Sequence, residues 1–122
     1  MSVSLSGVLL VALGGAVGSV ARHLVSVAAL ATLGAGFPWG TLAVNILGSA
    51  AIGVAAGMGI EGQQRLLLVT GVLGGFTTFS AFSLETGALF ERSPLLAVLY
   101  VLASVTFGLA AFALAWWLTR RG

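Results

Sequence analysis

Four long apolar stretches, separated by short polar or glycine-rich turns, account for almost the whole of this chain. A helix needs about 20 apolar residues to cross the hydrocarbon core of a bilayer. Only 7% of the residues are charged and the mean hydropathy is +1.15, whereas a soluble domain carries about 25% charged residues. The sequence therefore predicts an all-α membrane protein with four transmembrane helices, at residues 5–30, 41–58, 64–90 and 94–118.

These helices are predicted to form one four-span transmembrane domain over residues 1–122, without a linker or an internal repeat. The first stretch has no positively charged start and is too long for a signal peptide, so it is expected to remain as a span. Pro94 suits the first turn of the fourth helix, where its missing N–H is harmless. The chain has no cysteine for a thiolate metal site and no basic cluster for nucleic-acid binding.

Arginines are divided almost evenly between the two sides of the predicted bundle. The side with both termini has Arg65, Arg120 and Arg121, and the other side has Arg92 and, toward the end of the first span, Arg22. The side with more positive residues normally stays in the cytoplasm and so sets membrane orientation. Because the arginine count here is nearly equal on the two sides, it favours a chain that inserts in both orientations and forms a dimer, which can be antiparallel. The alternative is a single orientation determined by Arg120 and Arg121 alone.

The third stretch contains a segment, residues 74–85 with the sequence GGFTTFSAFSLE, whose composition does not suit a plain membrane anchor. A polar group left unpaired in hydrocarbon costs several kcal/mol. Hydroxyls and a carboxylate therefore persist at this depth only where they face protein, water or a bound ion. The segment predicts a functional site within the membrane, and a pore is the interpretation that fits it best.

Phenylalanines recur in this segment at every third position, namely Phe76, Phe79 and Phe82. This spacing predicts a row of rings on one side of a helix. Ring edges carry the positive end of the aromatic quadrupole, so Phe79 and Phe82 are predicted to face an anion and to bind it weakly, as conduction requires. Phe76 is assigned instead to packing in the core or against lipid.

Glycines precede two threonines in the same segment, and two interpretations of them remain open. Gly74 and Gly75, followed by Thr77 and Thr78, can interrupt the helix and leave backbone carbonyls free to coordinate a cation such as sodium. The alternative is an unbroken helix in which Gly71 and Gly75 form a packing face for a neighbouring helix.

The first two spans contribute one candidate site residue each, Arg22 and Asn45. Asn45 at the centre of the second span either makes an interhelical hydrogen bond of about 1 kcal/mol or contacts the ion directly through its amide. Arg22 is costly inside a membrane, at roughly 2.5–3.5 kcal/mol at a helix centre. It is interpreted as a positive entrance for anions, with snorkelling to the interface as the alternative.

The fourth span carries Tyr100 and Ser104 one helical turn apart, where they can line a polar track or bond back to their own helix. Glu85, one turn beyond Phe82, must be paired, protonated or near water. No catalytic constellation accompanies these residues, because the chain has no aspartate and its one histidine, His23, has no evident nucleophile or second metal ligand nearby. The protein is therefore predicted not to be an enzyme.

In these motifs the chain resembles the Fluc, or CrcB, family of fluoride channels over essentially its whole length. The resemblance rests on GGAVG at 14–18 followed by Arg22, on GTLAVNILG at 40–48 and on GGFTTFSAFS at 74–83. It implies a third helix broken near its middle and an antiparallel, dual-topology homodimer with two fluoride pores. It also implies passive export of fluoride, which enters cells as neutral hydrogen fluoride and ionises inside, across the cytoplasmic membrane to relieve toxicity.

The resemblance also assigns roles to residues. Phe79 and Phe82 match a box of pore-lining phenylalanines, Arg22 matches an arginine near the aqueous vestibule, and the carbonyls of Gly74 and Thr77 match the ligands of a structural, activating sodium ion. The next hydroxyl of the family's polar track would fall at Gly108, which has none. The predicted pore and fluoride-binding residues are Phe79, Phe82, Asn45, Thr78, Ser80, Ser83, Tyr100 and Ser104.

Fluoride, lipid and a second copy of the chain are thus the predicted partners, and chloride is expected to be rejected by a narrow pore with closely spaced donors. Two other functions remain as alternatives. The first is a dual-topology exporter of organic cations like the small multidrug resistance proteins. Those depend on a carboxylate in the first helix, whereas the acids here are Glu61, Glu85 and Glu91. The second is a helical assembly subunit that transports nothing.

Overall fold

The computed structural model describes residues 2–120 and is helical there apart from short connections. In chain order it contains α1 (Leu5–Leu33), α2 (Trp39–Gly57), α3 (Gly62–Arg65), a π-helical segment (Leu66–Leu73), α4 (Gly74–Phe76), α5 (Ser80–Arg92) and α6 (Pro94–Thr119). Four helical stretches are long and apolar enough to cross a membrane, with Gly62–Arg92 as the third. The predicted all-helical, four-span fold is confirmed, although α1 continues to Leu33. Arg121, counted above among the cations, lies outside the described residues.

Local chemistry explains where the first span begins and ends and where the fourth begins. The Ser4 hydroxyl accepts a hydrogen bond from Gly7 N at 3.0 Å and caps the start of α1. That helix ends at Gly34, whose φ of 80° lies in the left-handed region that favours glycine. The Ser93 hydroxyl caps α6, and Pro94 occupies its first turn as the sequence predicts.

α1 packs against the third span through glycines that bring the two backbones together. A Cβ at Gly18 would collide with the Val72 carbonyl. On the facing side, the Gly15 carbonyl lies 2.6 Å from the position that a Cβ at Gly75 would take. Small residues allow such close approach between membrane helices, so the packing role considered for the third-span glycines is present at Gly75 and also at Gly71, where a Cβ would lie 2.9 Å from Gly14 Cα.

α2 and α6 lie side by side and run in the same direction, because they are the second and fourth spans of an alternating bundle. Thr41 lies beside Tyr100. Ser49, two turns further along α2, lies beside Gly108, which is two turns further along α6. The two helices therefore keep one register over this length, and each turn of α2 faces one turn of α6.

The backbone between α4 and α5 leaves the helical conformation at Thr77, where φ is −89° and ψ is 157°. Helical structure resumes at Ser80. Ala81 N donates a hydrogen bond to the Thr78 hydroxyl at 3.1 Å, which satisfies one of the N–H groups that the first turn of α5 leaves without a helical partner. The two threonines thus terminate one helical segment and begin the next.

Phe76 does not join the other two phenylalanines. Its ring lies 3.6 Å from the position that a Cβ at Gly48 of α2 would take, so it packs inside the bundle. The expectation of one row through Phe76, Phe79 and Phe82 is wrong at Phe76, because Thr77 is extended and helical spacing does not carry across it. The assignment of Phe76 to packing agrees with this position.

Candidate functional site

Three aromatic rings form a row that runs from the surface of the chain into its interior. Phe79 lies just before α5, Phe82 lies in α5 and Tyr100 lies in α6. Phe79 is 79% exposed, whereas Tyr100 is 0% exposed. The ring centroids of Phe79 and Phe82 are 5.6 Å apart, and those of Phe82 and Tyr100 are 5.1 Å apart. Phe79, Phe82 and Tyr100 make up the aromatic row, in which each ring lies at the distance where edges and faces attract.

Asn45 joins the second and third spans through two hydrogen bonds to the backbone of a single residue. Its Nδ2 donates to the Thr78 carbonyl at 3.0 Å, and its Oδ1 accepts from Thr78 N at 2.9 Å. The interhelical hydrogen bond considered for Asn45 is therefore present. An asparagine amide has two donor hydrogens, so one of them remains for another acceptor.

Asn45 and Phe79 both line an open cavity of about 330 Å³, the Asn45 cavity. Thr78 lines it too, and its hydroxyl lies 3.4 Å from the Ser80 hydroxyl. Each of these two hydroxyls has one proton, and the hydrogen bond between them uses only one of the two. The second proton can therefore be donated to a ligand. Ser83 differs, because its hydroxyl donates to the Phe79 carbonyl at 3.0 Å and has no proton left to give.

Deeper in the chain, three buried polar atoms have no hydrogen-bond partner within residues 2–120: Glu85 Oε1, Tyr100 Oη and Ser104 Oγ. The hydroxyls of Tyr100 and Ser104 therefore do not bond back to their own helix. Leaving such a group unpaired in the interior costs about 1–3 kcal/mol. A water molecule or a ligand placed among them would recover that free energy.

Thr41 belongs to this buried group, and sequence reasoning missed it. It is 5% exposed and lies beside Tyr100. The available signal was its position one helical turn before Asn45, on the same face of α2. That signal was weak, because a helical threonine more often bonds to its own backbone.

A second cavity of about 330 Å³, the Glu85 cavity, lies between the end of α1, the connection at 34–38 and α5. Its polar lining includes Thr41, Glu85 and Arg92. Arg92 Nη2 donates to the Gly36 carbonyl at 2.7 Å and so links α5 to the connection between the first two spans. The buried part of the aromatic row thus lies between two cavities, one at Asn45 and one at Glu85.

Arg22 reaches the third span beside the extended residue Thr77. Its Nε donates to the Gly75 carbonyl at 3.0 Å. Among residues 2–120 its two terminal nitrogens make no hydrogen bond, and the side chain is half-buried. Arg22 therefore fixes the backbone of the third span through one nitrogen while the rest of its guanidinium stays available to an anion.

The carbonyls around Thr77 differ in their partners. Those of Gly75 and Thr78 accept hydrogen bonds from Arg22 and Asn45. Gly74 and Thr77, the residues predicted to hold sodium, both line the Asn45 cavity. No cluster of three or more His, Cys, Asp or Glu exists in the described part of the chain, so a cation there would be held by neutral oxygens, which suit sodium.

The chain is similar to proteins of a known family along most of its length. A family model described as CrcB-like protein, Camphor Resistance (CrcB), matches residues 9–116. A protein of Agrobacterium fabrum named fluoride-specific ion channel FluC is 56% identical over 108 residues, which cover 84% of this chain and 86% of that protein. Proteins of the same name from Chelativorans sp. and Hyphomonas neptunium are 51% and 48% identical, covering 92% and 96% of this chain and 94% and 98% of their own lengths.

Proposed function

The chain belongs to the CrcB family, and from that premise we propose that it is a fluoride-selective channel through which fluoride leaves the cell passively across the cytoplasmic membrane. It is a multi-pass membrane protein, and its family is one of ion channels and not of enzymes. Fluoride enters cells as neutral hydrogen fluoride and ionises inside. A passive exit for the anion would therefore relieve fluoride toxicity.

The observation that carries this proposal is the set of unpartnered hydroxyls at the buried end of the aromatic row. Tyr100 Oη and Ser104 Oγ are buried without a partner among residues 2–120. A hydroxyl binds an anion by donating its proton, and each neutral donor contributes about 0.5–1.5 kcal/mol. Several such donors in series replace part of a hydration shell without trapping the ion, which is what conduction needs.

The proposed route runs between the Asn45 cavity and the Glu85 cavity. At the first cavity, donors come from the remaining amide hydrogen of Asn45 and from the Thr78–Ser80 pair. Ser83 contributes once its hydroxyl rotates away from the Phe79 carbonyl. The ion then moves along the ring edges of the aromatic row, whose rims carry positive charge, and reaches the buried hydroxyls before the second cavity.

Selectivity against chloride follows from the same chemistry. Fluoride is small and strongly hydrated, so it gains more than chloride does from closely spaced hydrogen-bond donors. Neighbouring rings of the aromatic row lie 5.6 and 5.1 Å apart between centroids, so their positive edges follow one another closely along the proposed route, which favours the smaller anion. Weak neutral donors, in place of a lysine, keep the bound fluoride exchangeable.

We extend the proposal to an antiparallel homodimer with two pores. Phe79 would face lipid in a lone chain, because it is 79% exposed and lines the open Asn45 cavity. A second copy over this face would cover the ring and close the cavity. Because the two copies would be equivalent, the same contact would form two pores, and the nearly balanced arginines support insertion in both orientations.

A sodium ion between the two copies completes the proposed assembly. The carbonyls of Gly74 and Thr77 would hold it, joined by the same carbonyls of the second copy. The side-chain bonds from Arg22 and Asn45 to the neighbouring carbonyls support this arrangement, because they fix the backbone on which these ligands lie. The ion would supply positive charge at the interface and stabilise the contact between the copies.

Fluoride efflux from liposomes tests the proposal. Purified protein is reconstituted, fluoride release is followed with an electrode, and wild type is compared with Phe82→Ile. We expect rapid passive efflux from wild type and a loss of about tenfold or more in Phe82→Ile, equivalent to about 1.4 kcal/mol, because the variant removes the middle ring of the row. Phe90→Ile is the matched control, since Phe90 also lies on α5 but is exposed and outside the row.

Three outcomes would refute the proposal. Wild-type liposomes could release no fluoride, or release chloride nearly as fast, or both phenylalanine variants could behave alike. Proton-coupled efflux of an organic cation that disappears in Glu85→Gln would instead support the exporter alternative, since Glu85 has a buried oxygen without a partner in the described chain.

A further inference from the structure

On one face of α6, the side-chain hydroxyls end at Ser104, one turn before Gly108. Tyr100, Ser104 and Gly108 follow one another at intervals of four residues, so they share one face of the helix. The first two present buried, unpartnered hydroxyls within the described chain. Gly108 is buried as well but has no side chain. α6 alone therefore offers no polar group at the third level of this face.

α2 places a hydroxyl at this level. Ser49 Oγ lies 3.6 Å from the position that a Cβ at Gly108 would take, which is ordinary van der Waals distance. The register between the two helices explains this, since Thr41 lies beside Tyr100 two turns earlier. The space that a side chain at Gly108 would occupy is therefore bordered by the Ser49 hydroxyl.

The Ser49 hydroxyl is free to bind a ligand. Ser83, Thr86 and Thr119 each donate to a carbonyl four residues back in their own helix. Ser49 makes no such bond, nor any other side-chain hydrogen bond, within residues 2–120. It is half-buried and lines the Asn45 cavity. One turn further along α2, Gly53 packs against the Phe112 carbonyl, and Ser49 carries the last side-chain hydroxyl of α2.

We propose that Ser49 supplies from α2 the anion-binding hydroxyl that α6 lacks at Gly108, so that the polar path crosses from one helix to the other. Between the Ser104 hydroxyl and the Asn45 cavity, which Ser49 lines, fluoride contacts the Ser49 hydroxyl as well as the ring edges of the aromatic row. The inference rests on the proposed fluoride conduction. It adds a fluoride-contacting residue on a second helix and a connection between the buried hydroxyls and the open cavity.

The test exchanges the hydroxyl between the two helices in the full-length, reconstituted protein. Fluoride efflux is measured for Ser49→Ala, for Gly108→Ser and for the double variant. We expect Ser49→Ala to lower efflux about tenfold, because one donor to the anion is lost. Adding Gly108→Ser should restore most of that loss, since it returns a hydroxyl to the same space from α6. A residue with only a packing role would not be rescued in this way.

Two further variants separate the hydroxyl from its volume. Ser49→Thr and Ser49→Val have nearly the same shape, and only threonine keeps the hydroxyl. We expect fluoride efflux through Ser49→Thr to stay within about twofold of wild type, and efflux through Ser49→Val to be as slow as through Ser49→Ala. Ser6→Ala, at an exposed position in the first turns of α1, controls for serine loss in general, and gel filtration with circular dichroism checks that each variant is folded.

The outcomes for this inference and for the proposed function are distinct. Equal efflux from Thr and Val variants, or a double variant no faster than Ser49→Ala, would overturn the role of Ser49 while fluoride conduction by wild type stands. A wild-type protein that conducts no fluoride would overturn both.

Discussion

The contact between α1 and the third span is made of backbone, whereas the contact between α2 and α6 carries side-chain hydroxyls as far as Ser49, before Gly53 meets the Phe112 carbonyl. At the first contact, Gly18 and Gly75 lie so close to the facing chain that a Cβ would meet a carbonyl oxygen. At the second contact, the hydroxyls of Tyr100 and Ser104 remain buried and unpartnered within residues 2–120. The first contact satisfies its groups and leaves no space, and the second leaves polar groups unsatisfied beside open cavities.

This difference separates stability from transport within one small chain. A membrane protein gains no hydrophobic driving force between its helices, so close van der Waals packing of small residues holds them together. The glycine contact supplies that packing and fixes the third span. The polar contact can then keep unpaired hydroxyls that weaken the fold but can bind an ion. Substitutions at the first contact should therefore remove folded protein, and substitutions at the second should remove flux first.

The largest expected effect tests the glycine contact. Gly18→Val should destabilise the protein by about 3 kcal/mol or more, because its Cβ would collide with the Val72 carbonyl and the backbones would have to separate. Thermal melting followed by circular dichroism in detergent measures this. Gly87→Val is the matched control, since nothing lies within 4 Å of a Cβ at Gly87. Equal melting temperatures for the two variants would show that the contact does not hold the fold.

Asn45 lies between the two contacts. The substitution Asn45→Asp is expected to lower stability less than Gly18→Val does and to lower fluoride efflux strongly. The variant loses the donor to the Thr78 carbonyl and sets a carboxylate against that oxygen, while an acceptor for Thr78 N remains. We expect a stability loss of about 1–3 kcal/mol and fluoride efflux lowered about tenfold or more, because the new charge repels the anion. Gln63→Glu, the same amide-to-carboxylate exchange at an exposed position of α3, should leave efflux unchanged, and a matching loss there would contradict a local role for Asn45.

The parts of this molecule that follow from short-range chemistry were accessible from the sequence. Hydropathy over four stretches predicts the spans, and Pro94 predicts the start of α6, because neither depends on which helices meet. The single row of three rings expected from helical spacing does not include Phe76, because Thr77 is extended and that backbone conformation is a property of the folded segment, whereas the separate assignment of Phe76 to packing agrees with the structure.

Pairings between distant residues could not be read from the sequence in the same way. Asn45 was recognised as a candidate, but its partner Thr78 is 33 positions away and is set by how the second and third spans pack. Thr41 was missed because only the register of α2 against α6 brings it to Tyr100. The antiparallel dimer and the sodium ion depend on a second copy and stay predictions from the family resemblance and from the exposed Phe79.

The smallest expected effect concerns Arg22, which lies at the glycine contact but is proposed to attract the ion. Arg22→Gln should lower fluoride efflux only about threefold at 0.01 M ionic strength and leave it nearly unchanged at 1 M, because salt shortens the reach of a charge from about 30 Å to about 3 Å. Efflux at both ionic strengths measures this, with the exposed Arg65→Gln as the control for charge removal elsewhere. The hydrogen bond from Arg22 Nε to the Gly75 carbonyl offers a contrasting role. If that bond were its whole contribution, the loss would be the same at both salt concentrations, and Arg22 would belong with the glycines that hold the third span.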